Sequence, residues 1–251
     1  MTSNYMSILL EKGGLSFLVT KNKDIIENEF IAFDSNLNLA DNLNQIYDQN
    51  LYLKQSYDQV RITYLAEKFI LVPKPYFEED HDSEKWLGFN TEIDEEDLIL
   101  EEELHRSYNA MLLCVVPERL MDFTKSKFNT AEIRHAGIFF LNYIHDVGEK
   151  EQVFLNVHQK QFEIVVFKNQ AFNLYNIFEY QTKEDIIYHL LNIMKQLKID
   201  PNTVELYYFG ITDDSATLKM MMNFIRHVIP ATDDLERMQY FTLIENLQPI
   251  L

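Results

Sequence analysis

The side chains with the clearest capacity for chemistry are carboxylates, and they are concentrated in one stretch of the chain. Residues 77–104 contain 13 Asp or Glu, including the runs Asp94-Glu95-Glu96-Asp97 and Glu101-Glu102-Glu103. Carboxylate oxygens are ligands that Ca²⁺ prefers, but the spacing is not that of an EF-hand loop and its glycine is missing. The runs therefore give little support to a calcium site.

Apolar residues are interleaved with these charges. They are Trp86, Leu87, Phe89, Ile93, Leu98, Ile99 and Leu100. Aromatic anchors surrounded by carboxylates would suit a basic protein partner, so Trp86, Phe89 and the run Asp94-Glu95-Glu96-Asp97 are candidate partner-binding residues. The alternative is a solvated loop-helix excursion whose apolar residues pack back onto the core.

The sequence contains none of the common catalytic or nucleotide-binding signatures. The phosphate-loop, dinucleotide-loop, zinc-protease and serine-hydrolase patterns are all missing. The single cysteine, Cys114, lies in an apolar run and is expected to be a buried, inert thiol. The seven histidines show no metal-ligand spacing, and His189 is expected to be structural. No catalytic residue, metal site or cofactor is predicted.

The charge balance limits the classes of partner. A formal net charge of −18 disfavours nucleic acid and an anionic membrane surface. No apolar run approaches the roughly 18 residues of a membrane helix, and no signal-peptide pattern is visible at the start of the sequence. We therefore expect an acidic cytoplasmic protein with no direct membrane insertion and an unknown protein partner, and the charge is compatible with a basic one. A homodimer is expected only as the commonest kind of assembly.

The elements that must position these residues occur in the same order twice. Each half reads as three strands, a helix and a further strand, at 6–10, 15–19, 25–33, 39–47 and 60–65, and again at 153–157, 162–167, 172–180, 183–194 and 204–209. A shift of 147 positions aligns residues 15–33 with 162–180 without a gap and places the turn Lys21-Asn22 on Lys168-Asn169. This agreement indicates an internal duplication.

Periodicity alone gives a mixed sheet with covering helices, but the order of elements resembles the unit of the ribonuclease-H-like fold, and two such units in tandem resemble the plan of the actin-like ATPases. The predicted class is thus α/β, with two β-β-β-α-β units and mixed sheets. Residues 1–150 would form the first lobe, with an acidic excursion at about 77–104 and an inserted strand-helix-strand at about 108–133. Residues 151–251 would form the second lobe.

Five blocks of sequence carry a resemblance to a known family. They are Phe69-Ile70-Leu71-Val72-Pro73, Phe154-Leu155-Asn156-Val157-His158, Asn176-Ile177-Phe178-Glu179-Tyr180, Glu184-Asp185-Ile186-Ile187-Tyr188 and Tyr207-Tyr208-Phe209-Gly210. With them the chain resembles the bacterial domain-of-unknown-function family 3822. That family is similar in fold to actin-like ATPases, in particular to the cytoplasmic actin-like proteins of pilus-assembly and type II secretion machines. The resemblance implies no assigned activity.

The resemblance implies where a nucleotide would lie. Actin-like ATPases hold it between two lobes, with Asp-x-Gly hairpin turns around the phosphates and a Gly-Gly pair beside the adenosine. The matching turns here are Glu11-Lys12-Gly13-Gly14, His158-Gln159-Lys160-Gln161 and Phe209-Gly210-Ile211-Thr212. The first has no aspartate, the second neither glycine nor aspartate, and the third a single glycine. Efficient ATP hydrolysis is therefore not expected, because phosphate and metal ligands are missing.

Two functions remain open from the sequence. The preferred one is a non-catalytic protein-interaction or assembly module with degenerate phosphate loops. The alternative is a divergent nucleotide-binding protein or ATPase, with ATP and Mg²⁺ in an atypical site. The candidate nucleotide-binding residues are Glu11, Lys12, Gly13, Gly14, His158, Gln159, Lys160, Gly210 and Thr212. A hydrolase of the ribonuclease H type would need carboxylates on the central strands, and residues 6–10 and 153–157 carry none.

Overall fold

The structure is a computed structural model that describes residues 4–128, 131–144, 148–210 and 215–248. The chain forms two compact units, one of Met1–Asn142 with Thr242–Leu251 and one of Tyr143–Phe241. The sequence places the boundary near residue 150, whereas the compact units divide after Asn142. The last ten residues, 242–251, belong with the first unit.

The described residues form strands and helices in the following order. The strands are β1 (Asn4–Glu11), β2 (Gly14–Lys21), β3 (Asp24–Ala32), β4 (Gln59–Tyr64), β5 (Phe69–Pro73), β6 (Asp97–Glu103), β7 (Ala110–Pro117), β8 (Ile133–His135), β9 (Gln152–Val157), β10 (Gln161–Lys168), β11 (Ala171–Glu179), β12 (Glu205–Gly210) and β13 (His227–Pro230). The helices are α1 (Leu39–Gln49), α2 (Lys74–Glu79), α3 (Ser83–Gly88), α4 (Glu118–Lys127), α5 (Ala136–Tyr143), α6 (Lys183–Leu197), α7 (Ser215–Phe224), α8 (Leu235–Gln239) and α9 (Phe241–Leu247).

Each unit contains a five-stranded mixed sheet of the same topology. The strand orders are β3-β2-β1-β4-β8 and β11-β10-β9-β12-β13. In both sheets the first three strands are antiparallel neighbours, and the last two run parallel to the central strand. The predicted α/β class with mixed sheets is thus confirmed, and the order follows from three hairpin-linked strands with a helical crossover to the fourth.

The two sheets also share local irregularities. A register shift falls between Val19 and Thr20 in the first sheet and between Val166 and Phe167 in the second. The hairpin turns that follow place Asn22 and Lys23, and likewise Asn169 and Gln170, at positive φ. Two consecutive residues at positive φ are the geometry of a type I′ turn, whose twist matches that of paired strands. Equivalent features lie 147 positions apart, as in the sequence alignment.

A smaller antiparallel sheet, of order β5-β7-β6, lies in the first unit. Its own core contains Val72, Phe77, Leu87, Leu113 and Val115, with Trp86, Ile93 and Ile99 packed against it. The acidic stretch therefore supplies part of a folded subdomain, including helix α3 and strand β6. The segment 108–133, expected as one inserted motif, gives β7 to this sheet, while β8 joins the larger sheet of the unit.

The end of the chain differs from its sequence prediction. A single helix is predicted from about Asp234 to Leu247, but α8 and α9 are separated by Tyr240. The C-terminal part of α9 is tied to the first sheet, because Asn246 Nδ2 donates to Ser7 Oγ at 2.9 Å and Arg61 Nη1 donates to the Asn246 carbonyl at 2.8 Å. No helix in the described part of the chain has both the length and the apolar character needed to cross a membrane.

Candidate functional site

The β1–β2 hairpin carries the first set of candidate nucleotide residues. Glu11 ends β1 and is buried, whereas Lys12 is exposed and its Nζ lies 3.3 Å from a carboxylate oxygen of Glu67. The Gly13 carbonyl accepts a hydrogen bond of 3.0 Å from the backbone N–H of Phe33. The hairpin tip is thus held by residues of its own unit.

Gly14 has a packing reason to be glycine. A Cβ at this position would lie 2.4 Å from the Ile31 carbonyl oxygen and 2.6 Å from an atom of the Phe30 ring. Both distances are far below a van der Waals contact, so only glycine allows β3 to lie this close to the start of β2. The glycine signal at this turn is therefore explained without a phosphate.

Two cavities flank Lys12 within the first unit. One of about 340 Å³ is lined by Glu11, Lys12, Asp34, Tyr64 and neighbouring apolar residues. The other, of about 310 Å³, is lined by Lys12 and Lys68 and by three carboxylates, those of Glu67, Asp94 and Asp97. Lys68 Nζ lies 3.7 Å from a carboxylate oxygen of each aspartate. The cationic side chains here already face carboxylates, so this surface offers no excess of positive charge to a phosphate.

The second hairpin, between β9 and β10, contains a buried polar network. Glu163 accepts from Asn156 Nδ2 at 2.7 Å and from Tyr175 Oη at 2.8 Å, and its Oε2 lies 2.8 Å from His158 Nε2. All four side chains are buried. Sequence reasoning named His158 but missed Glu163, whose signal was a lone carboxylate inside the apolar strand Phe162–Phe167.

The turn after His158 is closed by Tyr180. The Tyr180 hydroxyl donates to the His158 carbonyl, and its backbone N–H donates to the Lys160 carbonyl at 3.1 Å. Gln159 is half-buried and Lys160 is exposed at the tip. The His158 and Lys160 carbonyls of the candidate turn are therefore engaged in contacts within the second unit.

Gly210 ends β12 with φ at 88°. A Cβ there would lie 1.8 Å from the Val157 carbonyl oxygen, because Gly210 pairs with Val157 across β12 and β9. The residue must therefore be glycine for the pairing of these strands. Thr212, the other candidate at this position, lies outside the described residues.

One aromatic ring of the acidic stretch is largely exposed. Phe89 is 67% exposed, and its ring packs edge-on against that of Trp86 at 5.9 Å between centroids. Trp86 is half-buried on the small core, and its Nε1 donates to the Asp80 carbonyl at 2.8 Å. Most apolar residues of this segment thus pack inward, as the second expectation has it, while Phe89 is exposed and its role as a partner-binding residue stays a prediction.

The four candidate carboxylates differ in their surroundings. Asp94, Glu95 and Glu96 are exposed, while Asp97 is half-buried and accepts from the Asp94 backbone N–H at 3.1 Å. Glu96 lies 3.4 Å from the Arg119 guanidinium. The Glu96–Arg119 ion pair is exposed and of small net strength, so a cationic side chain of a partner could replace Arg119.

Metal-ligating and thiol chemistry receive no support from the geometry. Within the described residues, no three His, Cys, Asp or Glu side chains converge so as to hold a metal ion. Cys114 is buried in β7, and burial raises the pKa of its thiol well above the usual value. The thiol is therefore protonated and inert at neutral pH, as the sequence predicts.

The sequence profile of the family described as protein of unknown function DUF3822 matches residues 1–228. The chain belongs to the DUF3822 family. No match was found among curated proteins.

Solved structures share the fold of this DUF3822 protein. A Bacteroides thetaiotaomicron protein with an actin-like ATPase fold and unknown function is similar with a TM-score of 0.76 and 20% identity, over 97% of this chain and 95% of that one. A chain of the PilM–PilN type IV pilus biogenesis complex is similar with a TM-score of 0.62 and 9% identity, over 98% and 99%.

The cytoplasmic domain of EpsL, an inner-membrane component of the type II secretion system of Vibrio cholerae, is also similar. Its TM-score is 0.51 with 11% identity, over 82% of each chain. At such identities the likeness establishes the fold alone. The DUF3822 chain has an actin-like ATPase fold, and the predicted likeness to pilus-assembly and secretion proteins is confirmed at that level.

Proposed function

We propose that this DUF3822 protein is an actin-like protein-interaction or assembly module that docks a basic protein partner. The observation that carries the proposal is Phe89, an aromatic side chain that packs on Trp86 and is 67% exposed, in a segment rich in carboxylates. Covering a largely exposed ring with a partner would remove apolar surface from water, which favours binding. Aromatic residues at the centre of a polar rim are typical anchors of protein interfaces.

We expect the partner to be basic because the exposed residues that follow Phe89 in sequence are acidic. Asp94, Glu95 and Glu96 are exposed, and the chain as a whole carries a formal net charge of −18. Opposite charge would accelerate the encounter and select among partners, and it would make binding sensitive to salt. The same acidity opposes nucleic acid and opposes self-association through this surface.

The state of the candidate nucleotide residues supports a non-catalytic role. Gly14 and Gly210 are required by strand packing, and His158 is engaged with Glu163. Gly14, Gly210 and His158 thus each have a structural role within their own unit. The names of two structural neighbours, a PilM–PilN complex and a component of a secretion system, associate this fold with protein assemblies.

A photoreactive phenylalanine analogue at position 89 tests the proposal. The modified protein is expressed in its native host and irradiated, and adducts are separated by mass. Tyr188 is the matched control, because it is an exposed aromatic of the second unit with 66% exposure, against 67% for Phe89. We expect a discrete protein adduct from position 89 that weakens as salt rises, and none from position 188. No adduct at position 89, or the same adducts from both positions, would contradict the proposal.

Divergent nucleotide binding is the second candidate function. It is favoured by one observation, the carboxylate of Glu11 at the edge of a cavity of about 340 Å³ that Lys12 also lines. Glu11 would contact a hydrated Mg²⁺ and Lys12 a phosphate oxygen. Titration with nucleotides separates this function from the first.

A further inference from the structure

Strand β6 has an unpaired edge. It ends the order β5-β7-β6, and within the described part of the chain no strand pairs with its outer side. The Leu104 backbone N–H donates to the Ala110 carbonyl at 3.0 Å. This bond shows which residues of β6 exchange backbone hydrogen bonds with β7. Because antiparallel pairs alternate, Leu100 and Glu102 direct their backbone groups toward β7, and Glu101 directs its groups outward.

A hydrogen bond on the opposite side of β7 confirms which residues of β6 face away from β7. The Val115 backbone N–H donates to the Lys68 carbonyl at 2.9 Å, on the side of β5. Val115 is paired with Ile99 in β6, so this pair exchanges no bonds across the β6–β7 ladder. Ile99, Glu101 and Glu103 therefore present their backbone N–H and C=O groups at the free edge.

A cavity of about 500 Å³ lies beside this edge, between β6, α4 and β8. Leu100, Met121 and Ile133 give it an apolar wall. Thr124 also lines it, and the buried Oγ1 of this residue has no hydrogen-bond partner within the described part of the chain. Buried hydroxyls are normally satisfied, so the Thr124 hydroxyl is an exception next to a cavity whose wall is partly apolar.

One side chain links β6 to the outer strand of the larger sheet. The Glu102 carboxylate accepts from the His135 backbone N–H at 2.6 Å and from Arg134 Nε at 2.5 Å. The edge amide of β8 is thus satisfied by a carboxylate and not by another strand. Both strands belong to the first unit, and the cavity lies between them.

We propose that the free edge of β6 accepts an extended segment of the partner protein as an added strand. Side chains of such a segment alternate between the two faces of the sheet. On one face they would meet Glu101 and Glu103, which are exposed, and on the other they would enter the cavity beside Leu100. The segment should therefore alternate basic and apolar residues.

The assignment rests on the proposed function, since both need a basic protein partner. Glu101 now accepts from the Ser83 hydroxyl and Glu103 pairs with Lys74, each at 2.5 Å. Lys74 and Glu103 are solvent-accessible, so an incoming cation can replace their pairing at small cost. A second copy of this chain would bring another −18 of formal charge to the same edge, which favours a partner of different composition.

Two synthetic peptides of seven residues test strand addition. One alternates Lys with Leu or Val, and the other has the same composition with all Lys residues grouped together. We expect the alternating peptide to bind at least tenfold more tightly by fluorescence anisotropy. The backbone amides of the peptide form two alternating sets, and only one set would face β6. N-methylation of that set should abolish binding, and N-methylation of the other set should not. Equal affinities, equal effects of methylation, or no binding at millimolar peptide would overturn strand addition.

Variants of the protein test whether the peptide binds at the free edge of β6. Glu101→Pro removes an outward N–H and leaves the β6–β7 ladder intact, whereas Glu101→Gln keeps that N–H and removes only the charge. We expect at least a tenfold loss for the proline variant and a smaller, salt-dependent loss for glutamine. Ala131→Leu, which narrows the cavity, should also weaken binding. Equal affinity of the proline variant and the unmodified protein would overturn the site.

The two proposals fail in distinguishable ways. An adduct at position 89, together with peptide binding that is the same whichever set of amides is methylated, would support docking at Phe89 and reject the added strand. Peptide binding that only one set of methylated amides abolishes, without an adduct at position 89, would support the strand site at β6 and reject docking at Phe89. Concentration-dependent self-association that Glu101→Pro abolishes would show that the occupant is a second copy, and would overturn the basic partner.

Discussion

The Nε2 atom of His158 lies 2.8 Å from Oε2 of Glu163, and both side chains are buried. A buried carboxylate is costly unless donors surround it. Here Asn156 and Tyr175 supply two further donors from β9 and β11. The network therefore fixes the three antiparallel strands of the second unit to one another at the hairpin where an actin-like ATPase would hold phosphate.

Glu163→Gln should destabilise the protein by about 1–3 kcal/mol, because the amide brings its own N–H groups toward the existing donors. Tyr175→Phe should cost about 1 kcal/mol, since it removes one hydrogen bond. Urea unfolding measures both. Glu95→Gln, at an exposed site, is the control and should stay within about 0.5 kcal/mol of the unmodified protein. If Glu163→Gln behaved like this control, the network would have no role in stability.

Three glycine-to-alanine variants should differ in a defined order. Gly14→Ala should cost about 1–3 kcal/mol, because its Cβ would overlap the Ile31 carbonyl. Gly210→Ala should cost more, since it adds a positive φ to the overlap with Val157. Gly88→Ala is the matched control, with no atom within 4 Å of the new Cβ. Thermal and urea unfolding check the order, and equal effects at all three sites would show that strand packing does not require these glycines.

Nucleotides should leave the thermal midpoint unchanged. We expect no saturable rise with ATP, ADP or GTP, with or without Mg²⁺, because Lys12 already pairs with Glu67 and aspartate is missing from both hairpin tips. A ligand at 100 times its Kd would stabilise the protein by about 2.7 kcal/mol, which is readily measured. A saturable, Mg²⁺-dependent rise that Lys12→Ala removes would instead establish the nucleotide-binding function.

Stability should fall between about pH 10 and pH 12 partly through Tyr64. Burial, with a smaller contribution from the charge of Glu67, raises the pKa of Tyr64 from its usual value of 10.0 to about 12. The folded state then holds the phenolic proton more tightly than the unfolded state, so stability is lost as pH rises through this range. Tyr64→Phe should lose less stability there than the unmodified protein. Tyr188→Phe, at an exposed site, should follow the unmodified protein, and identical losses for both variants would contradict the assignment.

Much of the fold was readable because its signals are local. The hairpins around Asn22 and Asn169 join alternating apolar strands by short turns, so order and pairing follow from the sequence. Strand β6 was missed because it is rich in glutamate, which is depleted in strands, and only its pairing with β7 reveals it. The break at Tyr240 was missed because apolar spacing continues across it.

The candidate site was predictable only in position. The fold resemblance identifies the hairpin tips, and the sequence shows that they lack aspartate. It does not show that Gly210 faces the Val157 carbonyl or that Glu163 meets His158, because such contacts depend on strand register. The roles of these residues therefore emerge only when neighbouring strands are placed side by side.

The bond between Asn246 and Ser7 joins positions 239 residues apart in the chain. It bears on how the protein is made. The second unit is one continuous segment, Tyr143–Phe241, and all of it leaves the ribosome before α9 is complete. The first unit precedes the second along the chain but receives α9 only after the second unit has been made. We therefore expect the first unit to finish folding only after the second unit has been synthesised, because Ser7 cannot bond Asn246 before then.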